Sequence, residues 1–351
     1  MGCDLSSLTS PTSISIEQLS NKKISVDGNN ILYQFLSSIR QPDGSLLTDN
    51  KGNITAHLSG LFYRTVKWLE AGIYPIFVFD GQPNELKHNT LLLRKERKEE
   101  AEEKMQNALK LGDLEAAFTY AQQTSRLTPQ MIEQAKELLE ALGIPFVQAP
   151  SEGEAQAVYL VKKNHAWAVA SQDYDSLLFG SPRLIRNLSF SGKRKIPRKN
   201  TYVNIEPELI ELEKMLKDLN IDYKKLIWIA ILIGTDFNNG VYKVGPKTAL
   251  KIVKESKTFE EIINFLLSKF KNREKDILEE LKNWKELEEL FLNPKIEQNF
   301  STEFREINKE KVLSFLVDRH DFSAERVEKA LNQITQSKKE YKAQSHLEDF
   351  F

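Results

Sequence analysis

Four short apolar runs constrain the fold of this chain most, because each of them ends at carboxylates. They are KISVD, YPIFVFD, IPFVQAPSEGE and WAVASQDYD, and helix-length segments separate them. Runs rich in Val, Ile and Phe at this spacing are typical of buried parallel strands. Open α/β sheets bind ligands outside the carboxyl ends of their strands. The sequence therefore predicts an α/β fold, a twisted and mainly parallel sheet flanked by helices, with acids converging on one rim.

Seven carboxylates are candidates for that rim. The spacing in Glu152-x-Glu154 and Asp173-x-Asp175 places both side chains of each pair on one side if the backbone is extended. Asp236 directly follows the end of an apolar helix, where a loop can turn it back toward the sheet. The full set is Asp27, Asp80, Glu152, Glu154, Asp173, Asp175 and Asp236.

Such a set of acids predicts bound cations. Crowded carboxylates repel each other and raise one another's pKa, so they stay charged only when cations neutralise them. Ligands that are all oxygen favour Mg²⁺, for which Mn²⁺ can substitute. Two such ions about 4 Å apart clamp the attacking and leaving oxygens of an in-line phosphoryl displacement. A single Asp is more often a helix cap or turn residue, but placement at four successive strand ends favours the two-metal interpretation.

Composition excludes several classes of protein. With 351 residues, 40% apolar and 28% charged, the chain has the composition of a soluble globular protein. One cysteine excludes an internal disulfide, and the lack of a Cys/His cluster excludes an ordinary zinc site. The longest apolar stretch, residues 226–233, is too short to span a bilayer. The opening MGCDLS matches a myristoylation motif, but no polybasic patch supplies a second membrane signal. We expect a cytoplasmic protein with no membrane partner.

The net charge of −1 conceals two basic segments. Residues 182–199 carry seven Lys and Arg without an acid, and residues 243–257 carry five Lys against Glu255 alone. Either segment by itself is most simply a solvated loop. Two of them in a chain with a metal-type set of acids indicate a polyanionic substrate.

The character of the chain changes along its length. Helices are predicted over Asn29–Arg40 and Ala56–Ala71. Residues 84–142 lack a strand signal, are densely charged and break at Gly112 and Thr128-Pro129, which predicts inserted helices. We divide the chain into an N-terminal region (1–98), a helical insertion (84–130), an internal region with a helix–loop–helix (116–256), a C-terminal helical region (257–336) and a flexible tail (337–351).

The insertion supplies cations to complement the acids. Lys87 and Arg94 are seven residues apart, so on a helix they lie nearly over one another, and Arg97 and Lys98 extend that face. After Glu96 a solvated helix is indicated instead, because two oppositely charged pairs are spaced by four residues: Lys95 with Glu99, and Lys98 with Glu102. For Lys87 and Arg94, which flank an acid-poor TLLL, we expect contact with phosphate.

Seven motifs, in order over nearly the whole chain, resemble the structure-specific flap endonucleases, which are related to the Rad2 and xeroderma-group-G nucleases. They are MGCDL, VDGNNILYQFL, FVFDGQPNELK, APSEGEAQA, SQDYDSLLFGSP, LIGTDF and VGPKTAL. The archaeal members are most similar, because no lysine-rich tail follows the terminal Phe-Phe. The resemblance implies a PIN-like 5′ nuclease core and hydrolysis of DNA at single/double-strand junctions, by 5′ flap endonuclease and 5′-3′ exonuclease activity. It also implies a role in Okazaki fragment maturation and excision repair, at the nucleoid.

The resemblance assigns roles to individual residues. One metal would be held by Asp27, Asp80, Glu152 and Glu154, and the second by Asp173, Asp175 and Asp236. Lys87 and Arg94 match catalytic cations at the base of a helical arch, and Tyr33 matches an aromatic that stacks on the nucleobase beside the scissile phosphate; a core tyrosine is its alternative. The DNA-contacting positions that match are Gly2, Tyr33, Arg40, Lys87, Arg94, Glu152, Gly234, Asp236, Gly245, Lys247 and Thr248.

The helix-turn-helix departs from the family in one place. Lys243 stands where the family usually has Gly, so the turn must avoid a positive φ there or be strained. The family can bind K⁺ in this turn, and the substitution leaves K⁺ binding open here.

The last residues of the chain fit a sliding-clamp (PCNA) binding box. One helical turn would put Leu347, Phe350 and Phe351 on one side, with Gln344 beside them. The alternative is a terminus that packs back on its own domain. We expect a monomeric nuclease that binds branched DNA and the clamp.

Two other functions stay open. One is a junction-resolving or exonuclease relative with the same acids, which tests on flap, nicked, blunt and four-way DNA would separate. The other is a catalytically idle, clamp-tethered DNA-binding adaptor. Seven mutually repelling acids argue against the adaptor, since a protein without catalysis has little reason to keep them.

Overall fold

The computed structural model describes residues 2–41, 44–188, 192–195 and 202–348. The strands are β1 (Thr12–Ser13), β2 (Lys23–Asp27), β3 (Tyr74–Phe79), β4 (Phe146–Gln148), β5 (Ala168–Ala170), β6 (Arg183–Arg186), β7 (Gly192–Lys195), β8 (Tyr202–Ile205) and β9 (Glu208–Glu211). The longer helices up to residue 178 are α1 (Gly28–Ser38), α2 (Ala56–Glu70), α3 (His88–Lys110), α4 (Leu114–Ala121), α5 (Pro129–Ala141), α6 (Gly153–Lys162) and α7 (Asp175–Leu178). Those after it are α8 (Leu212–Leu219), α9 (Tyr223–Ile233), α10 (Pro246–Glu255), α11 (Phe259–Lys269), α12 (Glu274–Glu280), α13 (Trp284–Leu292), α14 (Lys309–Leu313) and α15 (Ala324–Glu348).

The chain forms two compact units, each built from three segments. The first unit comprises Met1–Ile14, Asp80–Leu92 and Ala149–Glu297. The second unit comprises Ser15–Phe79, Leu93–Gln148 and Gln298–Phe351.

In the second unit the strands are parallel in the order β2-β3-β4. Ile24 pairs with Pro75 and Val78 pairs with Val147. After its first residue β2 is buried throughout, and so is β3, as the continuous apolar runs predicted. Helix α2 packs against α1, α5 and α15 and places a broad apolar face in the core.

In the first unit the order is β1-β9-β6-β5, with β5 and β6 parallel and the other pairs antiparallel. The prediction of an α/β core with mainly parallel strands flanked by helices is confirmed, and it gains this antiparallel edge. Strand β9 continues the sheet beyond β6, and β7 pairs with β8 in a hairpin. These strands were missed because each run is only four residues long, which is too short to show a clear strand pattern.

The predicted helical insertion is present. Helices α3, α4 and α5 follow one another, and the described residues of 84–142 contain no strand. The chain breaks at Gly112, and Thr128 caps α5 by accepting a hydrogen bond from the Met131 N–H at 3.3 Å. The helix–loop–helix is also confirmed, with α9 ending at Ile233 and α10 beginning at Pro246.

The region after residue 257 is helical up to Leu292 and again from Lys309. Helix α15 continues through Glu348, beyond the expected start of the tail at residue 337. The sequence there contains good helix formers and lacks Gly and Pro. Of the predicted clamp peptide, Gln344 and Leu347 lie on this helical backbone, and Phe350 and Phe351 lie outside the described residues. No helix in the described ranges is long and apolar enough to cross a membrane.

The buried histidine His57 predicts how the stability of the protein depends on pH. His57 is fully buried in α2, and its Nε2 lies 3.1 Å from Gln134 Oε1. Burial lowers the pKa of His57 to about 4. The unfolded chain therefore binds the extra proton between about pH 6.5 and 4, and the free energy of unfolding falls as the pH falls through that window.

We expect protonation of His57 in the unfolded chain to lower the free energy of unfolding by about 2 kcal/mol between pH 7 and pH 5. Urea unfolding of the wild type and of His57→Leu at pH 7 and pH 5 measures this effect. The loss of unfolding free energy on acidification should be about 2 kcal/mol smaller in the variant than in the wild type. Equal losses in the two proteins would show that His57 titrates alike in the folded and unfolded states.

Candidate active site

Six of the seven predicted acids lie in the first unit, where hydrogen bonds and charge interactions connect them. We call this set the acid cluster: Asp80, Glu152, Glu154, Asp173, Asp175 and Asp236. The seventh, Asp27, belongs to the second unit, where it ends β2. Its Oδ1 accepts a hydrogen bond from the Asn30 N–H at 2.9 Å, so it also caps α1.

The acids are held by main-chain and hydroxyl groups at the starts of helices. Glu152 is the N-cap of α6 and Glu154 lies in its first turn, while Asp80 accepts a hydrogen bond from the Gly153 N–H at 2.7 Å. The Ser171 hydroxyl donates to Glu154 at 3.4 Å. An extended backbone was the condition for each pair, Glu152-x-Glu154 and Asp173-x-Asp175, to lie on one side, and it is not met, because α6 begins at Gly153 and α7 begins at Asp175.

Asp236 reaches the cluster through the predicted loop after α9. Gly234 ends this helix with φ of +100°, and a Cβ there would lie 2.9 Å from the Asn239 carbonyl oxygen. Only glycine makes that turn without strain. Asp236 is 7% exposed, and its Oδ2 lies 3.5 Å from Lys87 Nζ.

Lys87 is the cation that the structure places on the acids. Its Nζ donates to Glu152 Oε2 at 2.6 Å and lies 5.5 Å from the centre of the Phe237 ring. Lys87 ends a short 3₁₀ helix, Glu85–Lys87, and Arg94 lies in α3, which begins directly after it, so the two residues do not share one regular α-helix. The contact of Lys87 with acids was predicted only indirectly, as a complementary charge.

The electrostatics of the cluster indicate a shortage of positive charge. Burial, together with the Asp236 and Asp173 charges, raises the pKa of Asp175 to about 7. Burial and the neighbouring Glu152 and Asp236 raise the pKa of Asp80 as well. Although burial opposes it, the carboxylates of Glu152 and Asp236 raise the pKa of Lys87, so it stays charged.

This donor set fits divalent cations. It consists of carboxylate oxygens, which are the ligands of Mg²⁺ and Mn²⁺, and added positive charge would relieve the repulsion that raises their pKa values. Among the residues that the structure describes, no three His, Cys, Asp or Glu side chains are grouped closely enough to hold an ion as they stand.

The N-terminal segment holds Asp175 in place. This contact was not predicted from the sequence. The Cys3 N–H donates to Asp175 Oδ1 at 2.6 Å, and Cys3 is 2% exposed. A Cβ on Gly2 would lie 2.4 Å from Asp175 Oδ2, so a larger residue would displace this carboxylate. Gly2 was assigned to DNA contact, and its position here gives it a packing role against an acid.

Tyr33 and three cations of the second unit form a separate group. Tyr33 is 40% exposed on α1, which excludes the core alternative. Lys98 Nζ lies 5.0 Å from the centre of its ring. Burial lowers the pKa of Lys98, and the charges of Arg126 and Arg94 lower it further, so both guanidinium groups lie nearby. Arg126 also pairs with Glu102 at 3.3 Å, the acid that was expected to pair with Lys98.

The other predicted DNA contacts include Arg40 in the second unit and Gly245, Lys247 and Thr248 in the first unit. Arg40 donates to the Gly44 carbonyl at 2.8 Å and to Ser125 Oγ at 2.9 Å, so at least part of its guanidinium group serves the protein. In the helix–loop–helix, Gly245 caps α10, and Lys247 and Thr248 are exposed in its first turn. Amides at such a helix start can bind phosphate.

Comparison with known proteins identifies the family. The XPG N-terminal domain matches residues 5–101, and the XPG I-region matches residues 143–236. Flap endonuclease 1 of Pyrococcus furiosus is 50% identical over 352 residues, which cover 100% of this chain and 99% of the relative. This chain belongs to the flap endonuclease 1 family.

Solved structures of this family and its relatives agree. Flap endonuclease-1 from Methanococcus jannaschii is 43% identical, with a TM-score of 0.72 over 96% of this chain and 98% of the other. The catalytic core of Rad2 in complex with DNA substrate is 26% identical, with a TM-score of 0.66 over 93% of this chain and 96% of the other. The two matched XPG regions together contain all seven predicted acids, Lys87 and Arg94.

Proposed function

We propose that this protein is a structure-specific flap endonuclease, which hydrolyses a DNA phosphodiester where a 5′ single strand leaves a duplex. The main support is the acid cluster with Lys87. It lies in a chain that is 50% identical to a flap endonuclease over its whole length. A 3′-hydroxyl and a 5′-phosphate would be the products. Flap removal during lagging-strand synthesis and excision repair is the process that needs this reaction.

Two divalent cations, Mg²⁺ or in its place Mn²⁺, would supply the positive charge that activates water and stabilises the leaving oxygen. Asp80, Glu152 and Glu154 would hold one ion with Asp27. Asp173, Asp175 and Asp236 would hold the other. Lys87 and Arg94 would stabilise charge on the phosphate in the transition state, and Tyr33, exposed beneath Lys98, would stack on a nucleobase.

Cleavage of a labelled 5′ flap with Mg²⁺ and with EDTA tests this function. We expect one cut near the junction, with Mg²⁺ only. Four-way junctions and blunt duplexes in the same assay separate the junction-resolving and exonuclease alternatives. Flap binding without cleavage would support the idle adaptor, which the identity to flap endonucleases disfavours, and would overturn the proposal.

We propose that the turn before α10 contacts the backbone of the duplex. Lys243 adopts φ of +65°, so of the two alternatives, avoiding a positive φ or adopting it with strain, the turn takes the strained one. Its Nζ lies 5.2 Å from the ring of Tyr242, a residue 60% exposed, and the guanidinium carbon of Arg273 lies 5.1 Å from the same ring. The family's K⁺ site in this turn stays a proposal, which duplex affinity in KCl against LiCl would test.

Lys243→Gly should change stability and DNA binding in opposite directions. The free energy of unfolding should rise by about 0.5–1 kcal/mol, because glycine adopts positive φ freely. Loss of one phosphate contact should lower the slope of log affinity against log salt by about 0.9. Urea unfolding and duplex binding at several KCl concentrations measure both, with the exposed Lys214→Ala in α8 as control. An unchanged salt slope would remove Lys243 from the duplex contact.

We propose that Gln344, Leu347, Phe350 and Phe351 bind the sliding clamp. Support comes from the spacing of the box and from α15, whose backbone is helical through Glu348. Deletion of residues 347–351 should weaken binding to a purified clamp at least tenfold in calorimetry, while cleavage of short flaps without clamp continues. Loss of cleavage without clamp would instead indicate that the terminus packs on the enzyme.

A further inference from the structure

The contacts of Lys87 occupy oxygens that a metal ion would need. Lys87 Nζ lies 2.6 Å from Glu152 Oε2 and 3.5 Å from Asp236 Oδ2. Glu152 and Asp236 are buried, and the side chain of Lys87 is 16% exposed. The ring of Phe237 flanks the ammonium group at 5.5 Å. The ammonium group is thus enclosed by the acid cluster and is withdrawn from solvent.

Glu152 and Asp236 were assigned to different metal ions, and Lys87 bridges them. An Mg²⁺ ligand oxygen lies about 2.1 Å from its ion. An ammonium group and an ion on the same carboxylate oxygen would therefore lie within about 4–5 Å of each other, where two like charges in a buried site repel strongly. This overlap on Glu152 and Asp236 points to mutually exclusive arrangements of the cluster.

We propose that Lys87 is the resident counter-ion of the acid cluster, and that divalent cations bind by replacing it on Glu152 and Asp236. The exchange frees the ammonium group for the scissile phosphate. This inference rests on the proposed function, since it concerns the same acids. It gives Lys87 two successive positions: paired with carboxylates before metal binding, and available to the substrate after it. The acids are thereby kept partly neutralised at every stage.

Lysine acetylation of the wild-type protein measures the release directly, without DNA and without catalysis. The rate at Lys87 is followed by mass spectrometry with and without Mg²⁺. Lys95 is the matched control, because it lies eight residues later and its side chain is 70% exposed. We expect Lys87 to react more slowly than Lys95 in EDTA and to accelerate at least fivefold in Mg²⁺, while Lys95 changes little. An unchanged rate at Lys87 would overturn the exchange.

Metal affinity gives the second measurement. By calorimetry without DNA, Lys87→Met should bind Mg²⁺ about tenfold more tightly than the wild type, which corresponds to about 1.4 kcal/mol, because the ion no longer displaces an ion pair. Lys95→Met should bind as the wild type does. Weaker or equal binding by Lys87→Met would overturn the proposal. Tighter binding together with an unchanged acetylation rate would show that Lys87 only adds repulsive charge, and would also overturn the exchange.

The flap assay separates this inference from the proposed function. A wild type that cleaves flaps while Lys87 fails both measurements would overturn the exchange and leave the nuclease function standing. A wild type that releases Lys87 on binding Mg²⁺ and yet cleaves no DNA would overturn the function and retain the exchange.

Discussion

Asp175→Asn should lower the rate of flap cleavage by at least about 10³-fold while flap binding persists. Asp175 is 3% exposed, and its Oδ1 accepts the Cys3 N–H at 2.6 Å. Asparagine keeps the shape and this hydrogen bond, but it removes the charge that a metal ion requires. Single-turnover cleavage in Mg²⁺ and flap binding in Ca²⁺ measure the two effects separately.

The same variant should be more stable than the wild type in the absence of metal. A carboxyl whose pKa is raised to about 7 in the folded protein binds a proton that the unfolded chain releases near pH 4. Stability therefore falls as the pH rises from about 4 to 7, and at pH 8 the ionised Asp175 costs on the order of a few kcal/mol. Asparagine has no such cost, so its midpoint in urea at pH 8 should be higher.

Magnesium should reduce this difference in stability between the variant and the wild type. It binds only the folded cluster, so it raises the melting temperature of the wild type and raises that of Asp175→Asn less. Asp218→Asn, an exposed acid in α8, should match the wild type in cleavage, stability and response to Mg²⁺. If Asp175→Asn cleaves at the wild-type rate, Asp175 is not a metal ligand.

Sequence predicted those parts of the fold that local patterns determine. β2 was placed at its observed bounds, because a buried parallel strand is apolar on both faces. The acids were found because they stand where apolar runs end. Asp236 was found because Gly234 interrupts an apolar helix, and glycine is what the positive φ at that position requires.

Contacts between distant segments were not predictable in the same way. Gly2 packs on Asp175, which is 173 residues later, and Lys87 pairs with Glu152, which is 65 residues later. The local sequence contains no pattern that specifies either partner. The extended backbone on which the pairing of the acids depended is also absent, because α6 begins at Gly153, between the two glutamates, and α7 begins at Asp175.

The charged helix α3 shows where a local rule was overridden. Spacing by four was correct for Lys95 and Glu99, which lie 4.0 Å apart and are exposed. Lys98 instead lies over Tyr33, and Glu102 pairs with Arg126. Pairs on a helix surface contribute only about 0.2–0.5 kcal/mol, so a partly buried aromatic ring or a nearby guanidinium group can replace them.

The group of cations around Tyr33 leads to a second prediction, which concerns Arg94. Arg94 is half-buried on α3, and its charge helps to lower the pKa of Lys98, whose burial has the larger effect. The guanidinium group thus lies beside an ammonium group that covers the exposed ring of Tyr33. Such a concentration of positive charge around an aromatic ring is suited to a phosphate with its attached base.

Arg94→Ala should lower the single-turnover rate of flap cleavage by about 10²–10³-fold, because one donor to developing charge contributes about 3–4 kcal/mol to the transition state. Flap affinity should fall much less. Arg97→Ala is the matched control, since Arg97 lies on the same helix and is exposed. Arg94→Lys should recover part of the rate by restoring the charge without the planar fork. Equal losses in Arg94→Ala and Arg97→Ala would mean that α3 acts only through its total charge, and the assignment of Arg94 to the reacting phosphate would fail.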